Sequence, residues 1–223
     1  MSRHSPSGII WQAFRSQPTV EDGRHDTPEW LARNGEFAFA MIRVPASSLQ
    51  PRLNELREVL SRYPYIRLHP DHFLHITLQE LGFVSDRPQT STDITPVRLE
   101  EFAQTAAAVT ADHRKFTIDF RGVNSFRDAA FIEVHDGGQC EPLHDRLFEL
   151  AAIPKAPQFA FVPHATVGHY TEAADNHPLV RDLQRWREVS FGTLEVTEIE
   201  IVTMSSAEAY PVLKTYAVLP IGR

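Results

Sequence analysis

The sequence predicts an α+β fold with mainly antiparallel sheets, built from two similar halves. Runs of strand length are joined mostly by turns rather than strictly alternating with helices, which favours antiparallel pairing. In addition, the order strand, helix, strand, helix, strand spans residues 37–121 and roughly recurs from residue 129 to the end. We therefore expect a bilobal, duplicated fold in which helices flank two sheets and a groove separates the lobes.

The chain divides into a short N-terminal extension and one larger domain. Residues 1–35 mix Ser, Pro, Gly and charged residues with short apolar pieces, which is typical of an extension. Thr27 followed by Pro28 predicts the N-cap and first turn of a short helix within it. We expect residues 36–223 to form a single bilobal domain.

The first half contains three predicted strands and two predicted helices. The apolar runs 37–44 and 73–83 predict strands, and the alternating segment 115–121 predicts a half-buried one. A helix from Ser47 or Ser48 to residue 62 is indicated by leucines at helical spacing, and the alanine-rich segment 99–112 predicts another.

The second half repeats this order. Strands are predicted over 129–135 and 159–170, with a helix over 140–151 between them. A further helix is predicted over 179–188, followed by alternating segments that end the chain.

Composition excludes several classes of protein. The net charge of −7 argues against a protein that coats nucleic acid, because such proteins need a basic face. One cysteine excludes an intrachain disulfide and fits a reducing compartment. No apolar run has the length of a signal peptide core or a membrane span. These observations predict a soluble cytoplasmic protein with no membrane contact, and no feature implies an obligate protein partner.

Four His-x-Thr triplets occur in the chain, and two of them lie on predicted strands in matching places of the two halves. These are His75-Ile76-Thr77-Leu78 and His164-Ala165-Thr166-Val167. The triplet at His25 has no strand around it, and Thr27 serves better as a helix cap. The triplet at His169 is expected to run from the strand into a polar loop.

Strand alternation predicts which of these side chains share a face. With a period of two, His75, Thr77 and Gln79 point to one side of their strand, opposite the aliphatic residues. His164 and Thr166 do the same on theirs. Each strand would thus pack aliphatic groups on helices and present an imidazole and a hydroxyl to the groove.

Two imidazoles and two hydroxyls suit phosphodiester chemistry. One histidine can accept a proton while the other, as imidazolium, donates one to a leaving oxygen. Threonine hydroxyls can bind non-bridging phosphate oxygens as charge develops there. This chemistry requires no metal and no cofactor, and none is expected.

These motifs resemble the signature of the two-histidine (2H) phosphoesterase superfamily, which includes 2'-5' RNA ligase-like proteins and cyclic nucleotide phosphodiesterases. The resemblance covers residues 37 to the C-terminus and includes the sequence around each motif, with Leu81-Gly82 after the first and Pro163 before the second. The segment 201–219, with Ser205 and Tyr210, resembles the family's last hairpin.

The resemblance implies that His75 and His164 are the acid–base pair and that Thr77 and Thr166 bind phosphate. We expect hydrolysis of 2',3'-cyclic phosphates of nucleotides or RNA ends, with His164 as base and His75 as acid. The near symmetry of the two halves leaves the reverse assignment of acid and base open. The substrate would be a small nucleotide or an RNA end. A 2'-5' RNA ligase-type activity on RNA ends is an alternative.

Three further residues are predicted to bind the substrate. Many relatives carry a basic residue soon after one motif, whereas this chain has Gln79 four residues after the first histidine and His169 five residues after the second. Tyr170 could stack on a base.

Other readings of the sequence are weaker. His69, His72 and His75 have the spacing of a metal cluster, but Pro70 disfavours a regular helix and the three would not share a strand face. Cys140 stands at a predicted helix start, where a thiol can become nucleophilic, although a helix cap explains the position better. A non-enzymatic RNA-binding module would stack bases on Phe39, Phe83 and Tyr170 beside the groove.

Overall fold

A computed structural model describes residues 5–91, 93–153 and 160–222 of the chain. The described residues form six α-helices and eleven strands, numbered in chain order. The helices are α1 Pro6–Ser16, α2 Pro28–Ala32, α3 Arg52–Leu60, α4 Pro96–Ala111, α5 Cys140–Ala151 and α6 His177–Leu183. The strands are β1 Thr19–Val20, β2 Glu36–Arg43, β3 Ile66–Leu68, β4 His75–Phe83, β5 Phe116–Ser125, β6 Ala129–His135, β7 His164–Tyr170, β8 Ala174–Asp175, β9 Ser190–Val196, β10 Glu198–Ser205 and β11 Lys214–Pro220.

Two antiparallel sheets organise the molecule, which confirms the predicted fold class. The first sheet has the strand order β11-β10-β2-β4 and the second has the order β3-β7-β6-β5-β9. All pairs of neighbouring strands within them are antiparallel. The small pair β1–β8 stands apart from both sheets.

The two halves have matching cores and exchange their last strands. In the first half β2 and β4 are neighbours joined through α3, and in the second half β6 and β7 are neighbours joined through α5. However, β5 pairs with β6 in the second sheet, while β10 returns to pair with β2 in the first. Each lobe is therefore completed by strands from both parts of the chain.

Most apolar side chains form one continuous core that spans both lobes, and the first helix belongs to it. Trp11 and Phe14 of α1 are buried in this core, where Phe14 is almost fully covered. The predicted short helix α2 is present, and the Thr27 hydroxyl caps it by accepting from the Trp30 N–H. The division at residue 35 remains a prediction, but α1, which precedes it, packs as part of the body.

Several predicted boundaries differ from the observed ones. Residues 46–49 form a short 3₁₀ turn and α3 begins only after Pro51, because proline has no N–H to continue a helix from Ser47. The connector between Pro64 and Pro70 contains β3. The predicted strand 159–170 begins at His164, directly after Pro163, and residue 159 lies outside the described residues.

No helix in the described ranges combines the length and apolarity that crossing a bilayer requires.

Candidate active site

The two motif histidines are held in the same way in the two lobes. His75 begins β4 and His164 begins β7. The His75 Nδ1 lies 2.6 Å from the Phe73 carbonyl, and the His164 Nδ1 lies 2.7 Å from the Val162 carbonyl. A carbonyl oxygen can only accept, so each Nδ1 carries the proton and each Nε2 is the basic atom of the neutral ring. Each ring is thus fixed by a backbone group two residues earlier.

Aromatic rings surround both imidazoles. The centroids of Phe39 and Phe73 lie 5.2 and 5.3 Å from that of His75. Those of Phe126 and Phe131 lie 4.9 and 5.2 Å from that of His164. These apolar neighbours partly exclude water from both rings, although each keeps some exposure to solvent.

This desolvation sets the charge of both rings. Burial lowers the pKa of His75 to about 4, outweighing its backbone hydrogen bond, and protonation of His164 or His25 lowers it further. Burial also lowers the pKa of His164. Both imidazoles are therefore neutral at pH 7 in the free protein, and an anion bound between them would favour protonation.

The motif threonines accompany the histidines on the same faces of their strands. Thr77 pairs in register with Met41, and Thr166 pairs with Phe131. Both threonines are partly exposed. The strands β4 and β7 contact each other across the lobes, and His164 lies close enough to His75 for its charge to affect the pKa of His75. The two motif strands are therefore neighbours in space, and we call their His-x-Thr faces the groove faces.

The sequence profile of the 2'-5' RNA ligase superfamily matches residues 45–208, which is most of the chain. The chain belongs to this superfamily. A Bacillus pumilus (strain SAFR-032) protein, provisionally named a phosphoesterase, is 29% identical over 130 residues, which cover 58% of this chain and 68% of the relative.

Solved structures share the fold at low sequence identity. Escherichia coli LigT complexed with 3'-AMP superposes with a TM-score of 0.61 and 16% identity, covering 85% of this chain and 99% of LigT. The Agrobacterium tumefaciens protein ATU0111 gives a TM-score of 0.57 at 10% identity, covering 96% of this chain and 98% of its own. The second match leaves only about nine residues of this chain uncovered, so the shared fold includes most of residues 1–35.

Strand irregularities after each motif change the predicted faces. In β4 the register passes from Met41–Thr77 directly to Ala40–Gln79, so Leu78 is an extra residue. The Leu78 carbonyl accepts a hydrogen bond from His144 Nδ1 at 2.7 Å. The expectation that Gln79 points into the groove is therefore wrong.

Gln79 faces the main core, and Glu80 takes the groove side instead. The Gln79 side chain is 5% exposed, and its amide donates to the neighbouring Glu80 carbonyl at 2.7 Å. Glu80 is exposed and pairs with Phe39, whose ring lies beside His75.

The second motif strand has the same irregularity. Its register passes from Phe131–Thr166 to Ala130–Gly168 and leaves Val167 as the extra residue. His169, five residues after His164, consequently returns to the groove face. The strand ends at Tyr170, so the triplet that begins at His169 runs from the strand into the following loop, as predicted.

Tyr170 lies on the opposite face and does not reach the groove. Its side chain is fully buried, and its hydroxyl is hydrogen-bonded to the Ser125 hydroxyl at 2.5 Å. Burial raises the pKa of this phenol strongly. The predicted stacking of Tyr170 on a base is therefore wrong.

His169 belongs to a cluster of imidazoles that the sequence did not predict. His69 Nε2 and His169 Nδ1 lie 3.0 Å apart, so one of them donates to the other. The ring of His25 meets that of His169 edge-on at 4.7 Å. His169 is only 8% exposed because these rings cover it. Burial lowers the pKa of His169 to about 3 and that of His69 well below its usual value.

Neither alternative reaction centre is assembled. The described residues contain no group of three His, Cys, Asp or Glu side chains placed to hold a metal ion. His72 is exposed, and its Nε2 meets the Tyr210 carbonyl at 3.0 Å, whereas His69 turns to His169. Cys140 is buried, and burial raises its thiol pKa far above neutrality, so the thiol does not act as a nucleophile.

Proposed function

We propose that this protein is a metal-independent phosphoesterase that hydrolyses 2',3'-cyclic phosphates of nucleotides or RNA ends to monoesters. The proposal rests on the observation that His75 and His164 are held by the same kind of backbone hydrogen bond. Each ring holds its Nδ1 proton on a backbone carbonyl and leaves Nε2 as the atom for proton transfer. In the neutral ring Nε2 accepts a proton as the base, and in the imidazolium the same atom donates one as the acid.

In the proposed reaction, His164 Nε2 takes a proton from a water molecule as the water oxygen bonds to phosphorus. The bond from phosphorus to one ribose oxygen of the ring breaks, and His75, as imidazolium, gives its proton to that oxygen. The product is a phosphate monoester beside a free hydroxyl. The two proton transfers leave the histidines in exchanged states, and proton exchange with solvent resets them.

Thr77 and Thr166 would bind the non-bridging oxygens, where negative charge builds up in the transition state. Their position two residues along from each histidine, on the same faces, supports this role. The family membership and the LigT complex with 3'-AMP support a nucleotide phosphate as the group that occupies the groove.

The proposal is tested by assaying a panel of 2',3'-cyclic nucleotides and 2'-5' oligonucleotides with the wild type, His75→Ala and His164→Ala. We expect each variant to lose about 10²- to 10⁴-fold in kcat, the usual contribution of a general acid or base. His177→Ala is the matched control, because this imidazole is exposed on α6 and pairs with Asp175. EDTA should leave the wild-type rate unchanged.

Two outcomes would contradict this proposal. If both histidine variants keep full activity, the acid–base assignment is wrong, and if EDTA abolishes activity, the reaction depends on a metal.

A 5'-hydroxyl of a second RNA could take the place of water, which would give a 2'-5' ligase-type product from the same site. Adding such an acceptor to the assay measures that alternative directly.

A further inference from the structure

A segment outside the part matched by the family profile crosses the groove near the proposed site. We call residues 25–30 the crossing segment. At one end the His25 ring lies 4.7 Å from His169, on the groove face of the second sheet. At the other end the Trp30 ring lies 4.9 Å from Phe37 and 4.7 Å from Phe83, which pair with each other on the first sheet. The chain therefore passes from one wall of the groove to the other within six residues.

Charged contacts fix the crossing segment to both walls. Arg67, the register partner of His169 in β3, donates to both carboxylate oxygens of Asp26 at 2.8 Å. Beyond Trp30, the Arg33 guanidinium lies 4.3 Å above the Phe83 ring and is paired with Asp93 at 2.6 Å. These ion pairs are partly buried, so the segment is held against both lobes.

Tyr210, from the C-terminal part of the chain, closes the same end of the groove. It lies between β10 and β11, and its hydroxyl donates to the Arg67 carbonyl at 3.1 Å. Its ring contacts His69 at 4.9 Å and Phe73 at 5.2 Å. Two separate segments thus join the lobes beside His169, and a polymer could not run through the groove in this direction.

A small cavity that the N-terminal segment also borders is lined by the residues directly before His164. The cavity, of about 330 Å³, lies between Phe131 and Glu133 of β6 and the Val162–Pro163 segment. Residues 5–7, at the start of α1, form a further wall. This volume is at the lower end of the range for small-molecule sites, roughly 300 to 1,000 Å³. It suits one ring system, such as a single nucleobase.

We propose that residues 5–35 restrict the site to the 2',3'-cyclic phosphate of a single nucleoside, and that His25 and Trp30 exclude longer RNA ends. The inference rests on the proposed function, since it specifies the substrate of that site. In this arrangement the cyclic phosphate lies between the motif histidines and the base enters the cavity beside His164. The further nucleotides of a longer RNA would clash with the crossing segment.

The test compares kcat/KM for a nucleoside 2',3'-cyclic phosphate and for an oligonucleotide that ends in the same group. We expect the wild type to prefer the mononucleotide by at least about tenfold, and His25→Ala and Trp30→Ala each to narrow that ratio by about fivefold or more. Arg24→Ala is the control, because Arg24 precedes the crossing segment and its ion pair is with the nearby Asp22. Its ratio should equal that of the wild type.

Equal kcat/KM for the two substrates in the wild type would overturn the inference, as would an unchanged ratio in both His25→Ala and Trp30→Ala. His25→Ala is the safer variant for folding, since its ring is exposed. Failure of the proposed function is recognised separately, because no cyclic phosphate would then be turned over. In that event the binding affinities of a nucleoside 3'-phosphate and a 3'-phosphorylated oligonucleotide are compared by calorimetry. This comparison supports or overturns the limit on substrate length without requiring turnover.

Discussion

At the scale of single residues, the main feature is that both motif histidines are oriented by the backbone rather than by a carboxylate. A carboxylate on Nδ1 would stabilise the imidazolium and raise its pKa, whereas the Phe73 and Val162 carbonyls do so only weakly. Burial against aromatic rings therefore dominates, and the pKa values of both histidines lie below 6.5. The resting site holds two bases, and one must acquire a proton before the proposed reaction can proceed.

The first prediction concerns the pH dependence of the proposed activity. The productive free enzyme has one neutral and one protonated histidine, a state that becomes populated only as the pH falls towards the lowered pKa values. We therefore expect kcat/KM to rise as the pH decreases from 8 and to reach its maximum below 6.5, the usual histidine pKa. A bound phosphate raises both pKa values, so the maximum of kcat should lie at higher pH.

Steady-state kinetics over the histidine range, roughly pH 4 to 9, measures both profiles. Because kcat/KM reports the free enzyme and kcat the complex, the two maxima separate the effect of burial from that of the substrate. A kcat/KM that keeps rising above pH 8 would contradict the proposed acid.

At the scale of the secondary structure elements, the motif strands show what sequence reasoning could and could not find. Period-two alternation correctly placed Thr77 with His75 and Thr166 with His164, because only one residue separates each pair. It failed after the threonines, where Leu78 and Val167 are inserted into the ladder and reverse the alternation. A bulge leaves no mark in an aliphatic run, so its position could not be predicted.

The bulge in β4 predicts that substitutions of two adjacent residues, Gln79 and Glu80, have different effects on the kinetics. Gln79→Leu should leave kcat/KM within about twofold of the wild type, because the side chain lies in the core. Its Oε1 has no hydrogen-bond partner among the described residues, so the change in the free energy of unfolding should stay within about 1 kcal/mol. Glu80→Gln should lower KM, because it removes a negative charge from the groove face.

Both variants are assayed with the same cyclic phosphate, and their stabilities are measured by urea unfolding. A large loss of kcat/KM in a stably folded Gln79→Leu would show that this side chain does act at the substrate. An increased KM in Glu80→Gln would show that Glu80 binds rather than repels the substrate.

At the scale of the whole molecule, the long-range contacts could not be predicted from the sequence. The exchange of β5 and β10 between the lobes, and the approach of His25 to His169 across 144 positions, depend on packing that no local pattern encodes. The same holds for α1, which the sequence predicts only as part of an extension with short apolar pieces, but which forms a helix that buries Trp11 and Phe14. Residues that looked peripheral thus complete the core and border the proposed site at both ends.

The last prediction tests whether the N-terminal segment folds as one unit with the body. Trp11 is 6% exposed, and its ring lies 4.8 Å below the Arg187 guanidinium. Arg187 is itself paired with the buried Glu133, the register partner of His164. Trp11→Ala should therefore lower the free energy of unfolding by about 3 to 5 kcal/mol, as for other buried aromatic residues, with a single cooperative transition in urea. Ile9→Ala is the matched control on the same helix, because Ile9 is 59% exposed, and it should change stability by less than about 0.5 kcal/mol. A small effect of Trp11→Ala, or a separate early transition, would mean that residues 5–35 are an appendage, and the position of the crossing segment would then not be fixed by the body.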